Sequence, residues 1–527
     1  MNVHLLYRDK DFNLQQDLPW NSEAVIQDLE LDTMLKAMAD ENEFTFEVAK
    51  TVILSGLDND EATIRYHQQI LRDCLKNPDA VESIYTIAVE SIKKEKENYL
   101  GIFSDYPDAI LSRSMKVLQI FIEELKKLRN LADGEYGNFG SEGFKNLFEM
   151  LKRELTDEYF AEMQNHLALL KFKNGVLISG QLGDGNKGKN YTLRKLANGN
   201  KNWWERFKYD YLFPWLENSD KKWIRRLAHN NSKKGVYNFY IHYRDESGIR
   251  ALRNIKDEGI NLAANALAQS DDHILNFFVH LKSELAFYRG CMALYNKLAS
   301  MEAPVFFPEP METGHLHDVR GLYDVSLALT MNRHVVGNEF RAENKDLIMV
   351  TGANQGGKST FLRSIGVAQL MMQSGMFVPA EYFRANICDS LLTHFKREED
   401  TEMESGKLDE ELSRMDEIIR HMTPETLLLF NESFCATNER EGAEIANQIT
   451  GALLEKGIKI FFVTHLYEFA NRFYKKQHPK MLFLRAERKP DGTRTFKIIE
   501  GAPQQTSFGK DLYNDIFREN KGNEPTE

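Results

Sequence analysis

The segment Gly352-Ala353-Asn354-Gln355-Gly356-Gly357-Lys358-Ser359 has the spacing GxxxxGK[ST] and lies directly between an apolar run and a helical pattern. Glycines at these positions let backbone N–H groups wrap a phosphate without Cβ clashes, and a helix starting near Lys358 points its positive end at the same place. The spacing predicts that Lys358 reaches the β- and γ-phosphates of a nucleotide and that the Ser359 hydroxyl binds Mg²⁺. Gly352, Asn354, Gly356, Gly357 and Thr360 complete the expected cradle. A second apolar run, Leu427 to Phe430, ends in Asn431-Glu432. An acidic residue usually holds the Mg²⁺ shell at such a strand end, and a following glutamate positions the attacking water. Asn431 offers an oxygen there but no charge, so weak Mg²⁺ binding and slow hydrolysis are expected, with Glu432 as the base. A third run, Ile460 to Val463, ends in Thr464-His465, which would bring His465 to the same edge, within reach of a γ-phosphate or the lytic water.

These groups need a scaffold that brings three strand ends together. Leu347 to Val350, Leu427 to Phe430 and Ile460 to Val463 are continuous apolar runs, as in a parallel sheet covered on both faces, so residues 301–516 read as an α/β domain. Residues 1–170 and 261–300 instead carry apolar residues at three- and four-residue spacing and read as amphipathic helices. Between them, residues 171–260 hold a predicted hairpin from Gly175 onward and four of the five tryptophans, and residues 517–527 read as a polar tail. The turn Gly183 to Asn190 also fits GxxxxGK, but Asn190 replaces the metal-binding hydroxyl and strand-like residues follow. A hairpin turn is therefore predicted there rather than a nucleotide site.

Thr351 to Arg363 closely resembles the P-loop of MutS, the DNA mismatch repair ATPases. Gln373 to Ala380, Glu432 to Gly442, Phe462 to His465 and Ser507-Phe508-Gly509 resemble further MutS segments in the same order, and Ala62 to Leu71 resembles the opening of the MutS core helical domain. The resemblance implies an ABC-type P-loop ATPase domain preceded by a mainly α-helical core and lever domain with a small inserted β-containing, clamp-like segment. It further implies ATP and Mg²⁺ as cofactors, and a homodimer in which each nucleotide is sandwiched against a signature loop of the partner. By order that loop is Ser405-Gly406, ahead of a helix expected to place Leu412, Met415, Ile419 and Met422 on one face. The chain departs from the family pattern at Asn431 and in starting almost directly at core-like helices, so a mismatch reader with a Phe-x-Glu wedge is not expected.

Charge is segregated along the chain. The whole chain carries −12, yet residues 171–260 contain 19 Lys+Arg against 9 Asp+Glu, interleaved with aromatics. Lys187, Lys189, Arg194, Lys221, Lys222, Arg225 and Arg226 are the expected nucleic-acid contacts, through backbone or shape rather than base edges. The four cysteines show no metal-ligand spacing and suit a reducing, cytoplasmic compartment, and no apolar stretch has membrane-span length. The expected function is an ATP-switched DNA clamp acting in mismatch repair or recombination-related transactions; the alternative is an ATP-gated scaffold acting on RNA, ribosomes or protein partners.

Overall fold

The computed structural model describes residues 1–99, 107–171, 177–182, 184, 188–194, 246–397, 406–489 and 492–504. The chain divides into two compact units, one of Met1–Val3, Asp79–Phe139 and Lys145–Lys282, the other of His4–Pro78, Gly140–Phe144 and Ser283–Glu527. Among the described residues no helix is long and apolar enough to cross a membrane.

Four helices open the chain, α1 (Ser22–Asp28), α2 (Leu31–Ala39), α3 (Glu43–Ser55) and α4 (Glu61–Lys76). Asn42 and Asp60 cap α3 and α4, their side chains accepting from Thr45 N (3.1 Å) and Thr63 N (2.8 Å). The sequence groups these helices with the long ones that follow, but they fold with the α/β region. Asn21 Nδ2 donates to Leu391 O at 2.8 Å, and Asn59 Nδ2 donates to Gln373 O at 3.0 Å. The apolar faces of α1 to α4 find their cover there, which amphipathic periodicity alone does not specify.

The other unit is built from α5 (Pro78–Tyr99), α6 (Pro107–Glu135), α7 (Glu142–Glu154), α8 (Asp157–Leu170) and the hairpin β1 (Leu177–Leu182) and β2 (Gly188–Arg194). The strands pair antiparallel, as the sequence predicts for a hairpin; residues 183 and 185–187 between them lie outside the described residues. Then α9 (Glu246–Ser300) runs for 55 residues, about 80 Å at 1.5 Å per residue, and contributes to both units. It passes without a break through residue 260, where the sequence suggested a boundary.

The α/β region carries two sheets. Strands β3 (Glu309–Met311), β4 (Leu316–Leu322) and β5 (Asn338–Glu343), with α10 (Val325–Met331) between the last two, lead to β6 (Leu347–Thr351), α11 (Lys358–Gln373), β7 (Tyr382–Asn386) and β8 (Ser390–Phe395). After them come α12 (Lys407–His421), β9 (Thr426–Asn431), α13 (Glu439–Glu455), β10 (Lys459–Val463), α14 (Tyr467–Lys475), β11 (Met481–Arg488) and β12 (Arg494–Glu500). The six-stranded sheet has the order β12-β11-β6-β10-β9-β8, parallel except for the β11–β12 hairpin, and a four-stranded sheet has the order β3-β7-β4-β5. The parallel sheet is the arrangement expected from the apolar runs, since β6 and β10 are buried along their whole length. Phe430 and Phe462 stack at 4.6 Å within its core.

Candidate nucleotide site

Three strand ends are tied together before any site residue appears. Val463 O accepts from Glu432 N at 2.9 Å, and Val350 O accepts from Thr464 N at 3.0 Å, so β6, β9 and β10 deliver their carboxyl ends to one edge. At that edge the loop 352–357 turns into α11, whose first residue is Lys358 and whose N-cap is Gly357. Gly352 has φ 115°, and a Cβ there would lie 2.9 Å from Ala486 N; one on Gly356 would lie 2.7 Å from Ala486 Cβ. Only glycine allows the loop to lie this close to β11.

The Lys358 ammonium is buried and folded back into the loop, donating to Gly352 O at 3.1 Å and Ala353 O at 3.0 Å. Burial pulls its pKa below the usual lysine value, Glu432 opposes that shift, and the neighbouring Arg494 guanidinium adds to it. Ser359 Oγ donates to Asn431 Oδ1 at 2.9 Å, so a hydroxyl and an amide oxygen stand side by side at the loop's exit. Glu432 has φ 54°, and its carboxylate lies 4.0 Å from His465 Nδ1; both side chains remain partly exposed. Lys358, Ser359, Asn431, Glu432 and His465 are thus gathered at one edge, while Asn354 stays exposed on the loop and Thr360 lies half-buried in the first turn of α11.

Behind Glu432 lies a contact that the sequence did not announce. The imidazole of His394 is buried, its Nε2–H donating to Glu411 O at 3.0 Å, and its Nδ1 lies 2.7 Å from the Ser433 hydroxyl. Burial pulls its pKa down to about 4, so the ring is neutral at physiological pH. It braces the turn after Glu432 against α12. The only sequence signal was a histidine inside an apolar strand.

Gly406 is the N-cap of α12, with open space around it, whereas Ser405 lies outside the described residues. The expected apolar face of α12 needs correction. Its buried positions are Glu411, Met415 and Ile418, while Leu412 and Ile419 face outward. The Glu411 carboxylate takes an inward position, where burial raises its pKa and the backbone N–H groups of Phe434 and Ala436 oppose that rise, a polar placement that an apolar pattern cannot reveal. Of the expected nucleic-acid residues, Lys187, Lys221, Lys222, Arg225 and Arg226 lie outside the described residues, as does Ser507 to Gly509. Lys189 and Arg194 sit on β2.

Residues 59–301 match the MutS2 N-terminal domain, and residues 348–514 match MutS domain V. The chain is a MutS-like protein. MutS protein homolog 4 of Homo sapiens is 25% identical to it over 213 residues, 38% of this chain and 22% of the relative. Endonuclease MutS2 of Lactobacillus helveticus is 27% identical over 252 residues, 45% of this chain and 32% of the relative. DNA mismatch repair protein MutS of Thermotoga petrophila is 28% identical over 215 residues, 40% of this chain and 26% of the relative. The MutS-like chain therefore spans at most about a third of the length of these relatives. The domain V match covers the P-loop, Asn431-Glu432 and His465, the same groups that meet at the sheet edge.

Proposed function

We propose that this MutS-like chain is a slow ATPase acting on DNA, whose nucleotide state opens and closes a clamp and whose P-loop domains pair two copies. The observation that carries this reading is the meeting of Lys358, Ser359, Asn431, Glu432 and His465 at the carboxyl ends of β6, β9 and β10. Lys358 would exchange the Gly352 and Ala353 carbonyls for the β- and γ-phosphates, with the loop amides closing around them. The Ser359 hydroxyl and the Asn431 amide oxygen, 2.9 Å apart, form a hard, oxygen-only pair that suits Mg²⁺, with waters and phosphate oxygens as the remaining ligands. When bound, Mg²⁺ would neutralise charge developing on the phosphates. Glu432 would hold the attacking water and accept its proton, and His465, 4.0 Å away, would sense the γ-phosphate. The second copy would add its Gly406 end of α12 across the nucleotide, and the basic segment 171–260 would hold nucleic-acid backbone.

Lys358→Ala is expected to abolish ATP binding, measured by titration calorimetry on the full chain. Unchanged ATP affinity in that variant would sink the assignment. Binding to duplex, branched and mismatched DNA and to structured RNA, each with and without ATP, then tests the DNA part: preference for the RNA would replace the clamp with the scaffold reading.

A further inference from the structure

The hairpin β11–β12 overhangs the P-loop. Strand β11 runs parallel to β6 with Arg485 opposite Thr351, so its next residues continue past the end of β6, and Ala486 packs against the loop at Gly352 and Gly356. The returning strand starts at Arg494, paired across the hairpin with Arg488. Arg494 Nη1 donates to Gln355 Oε1, within the P-loop, at 3.3 Å. Its Nε and Nη2 are buried and have no hydrogen-bond partner among the described residues. Among the described residues no carboxylate forms an ion pair with this guanidinium, and its charge acts on the Lys358 ammonium. A half-buried cation with two unused donors beside a second buried cation is a poor structural element, because buried donors are normally satisfied and like charges repel. It is a good anion receptor, since a guanidinium presents its donors as a fork that fits two oxygens of one phosphate.

We propose that Arg494 is a nucleotide-binding residue supplied by the hairpin, its free Nε and Nη2 taking oxygens of the phosphate chain of the nucleotide held by the loop 352–359. This rests on the nucleotide-site reading above and adds to it a residue that lies 135 positions beyond the Ser359 end of the loop. Gln355 holds the fork through Nη1 and leaves Nε and Nη2 without a partner among the described residues. The P-loop is thus flanked by positive charge on its own helix and on a separate hairpin.

The test compares full-chain wild type with Arg494→Ala, Arg494→Lys and Lys358→Ala, measuring ATP and ADP affinity by calorimetry and the melting temperature with and without nucleotide. Arg494→Ala is expected to bind both nucleotides about tenfold more weakly and to lose much of the nucleotide-induced rise in melting temperature, while melting without nucleotide at about the wild-type temperature. Arg494→Lys, which keeps the charge and loses the fork, is expected to fall between the two. Wild-type affinity in Arg494→Ala overturns the proposal. So does a lowered melting temperature without nucleotide together with an unchanged nucleotide-induced rise, the signature of a packing role. If wild type itself binds neither nucleotide, the nucleotide-site reading fails; if wild type binds, Lys358→Ala does not and Arg494→Ala binds normally, only the role of Arg494 fails.

Discussion

Asn431 does at the strand end what an aspartate would do geometrically, but without charge. Its Oδ1 accepts from Ser359 at 2.9 Å, a bond a carboxylate would make equally well, so the substitution costs the site no geometry. In the proposed Mg²⁺ site, what it would remove is a full negative charge from the coordination sphere, where ligand charge sets affinity. Asn431→Asp is therefore expected to lower the Mg²⁺ concentration for half-maximal ATPase activity about tenfold and to raise turnover. A steady-state Mg²⁺ titration of both proteins checks it, and identical curves would show that something other than Asn431 limits the rate. The loop 352–359, Asn431, Glu432 and His465 were all legible in the sequence, because each follows an apolar run and strand ends converge by rule in a parallel sheet. His394 and Arg494 were not. Their positions depend on which strands pair and on a hairpin folding over a loop far away in the chain, and no local spacing encodes that.

The elements show the same division. The buried strands β6, β9 and β10 announce themselves as unbroken apolar runs, whereas the sheet β3-β7-β4-β5 is assembled from short strands with mixed faces, such as β4, and gives no such signal. The faces of α6 and α9 follow the apolar periodicity through Phe121 and Phe278, whose rings meet at 5.7 Å. That periodicity does not mark the polar residue buried between them. Asp271 on α9 is buried, its Oδ1 without a hydrogen-bond partner among the described residues, and burial pushes its pKa from 3.8 up to about 8. A hydrogen bond from Ser114 and the charge of Arg113 pull the other way, and Asp272 and Glu95 add to the rise. Between those two values the folded chain keeps a proton that the unfolded chain releases, so stability falls as pH rises from about 4 to about 8. The slope reaches at most about 1.4 kcal/mol per pH unit for one such group. Asp271→Asn removes that titration, so the variant is expected to match wild type near pH 4 and to melt at a higher temperature at pH 8. Thermal unfolding of both proteins across that range decides it; parallel pH profiles would mean that Asp271 is ionised in the folded helices.

For the whole molecule the telling quantity is where charge lies rather than how much there is. A net −12 repels a polyanion at long range, so under the proposed function nucleic acid would be held locally, through the basic residues of 171–260, and not by the bulk field of the protein. Such binding carries a distinct signature in salt. Each phosphate neutralised releases condensed counterions, and the logarithm of affinity falls against the logarithm of salt with a slope of about 0.9 per contact on duplex DNA. If Lys221, Lys222, Arg225 and Arg226 each contact a phosphate, replacing all four with alanine should make the slope shallower by about 3 to 4 and should weaken binding to every duplex sequence alike. The same replacement should leave ATP affinity unchanged, because the proposed nucleotide cradle, the loop 352–359 with Asn431, Glu432, His465 and Arg494, lies outside residues 171–260. Fluorescence anisotropy with labelled duplex from low to high salt measures the slope. A variant with the wild-type slope would place the grip on other residues, and a change limited to one sequence would indicate base reading in place of backbone contact.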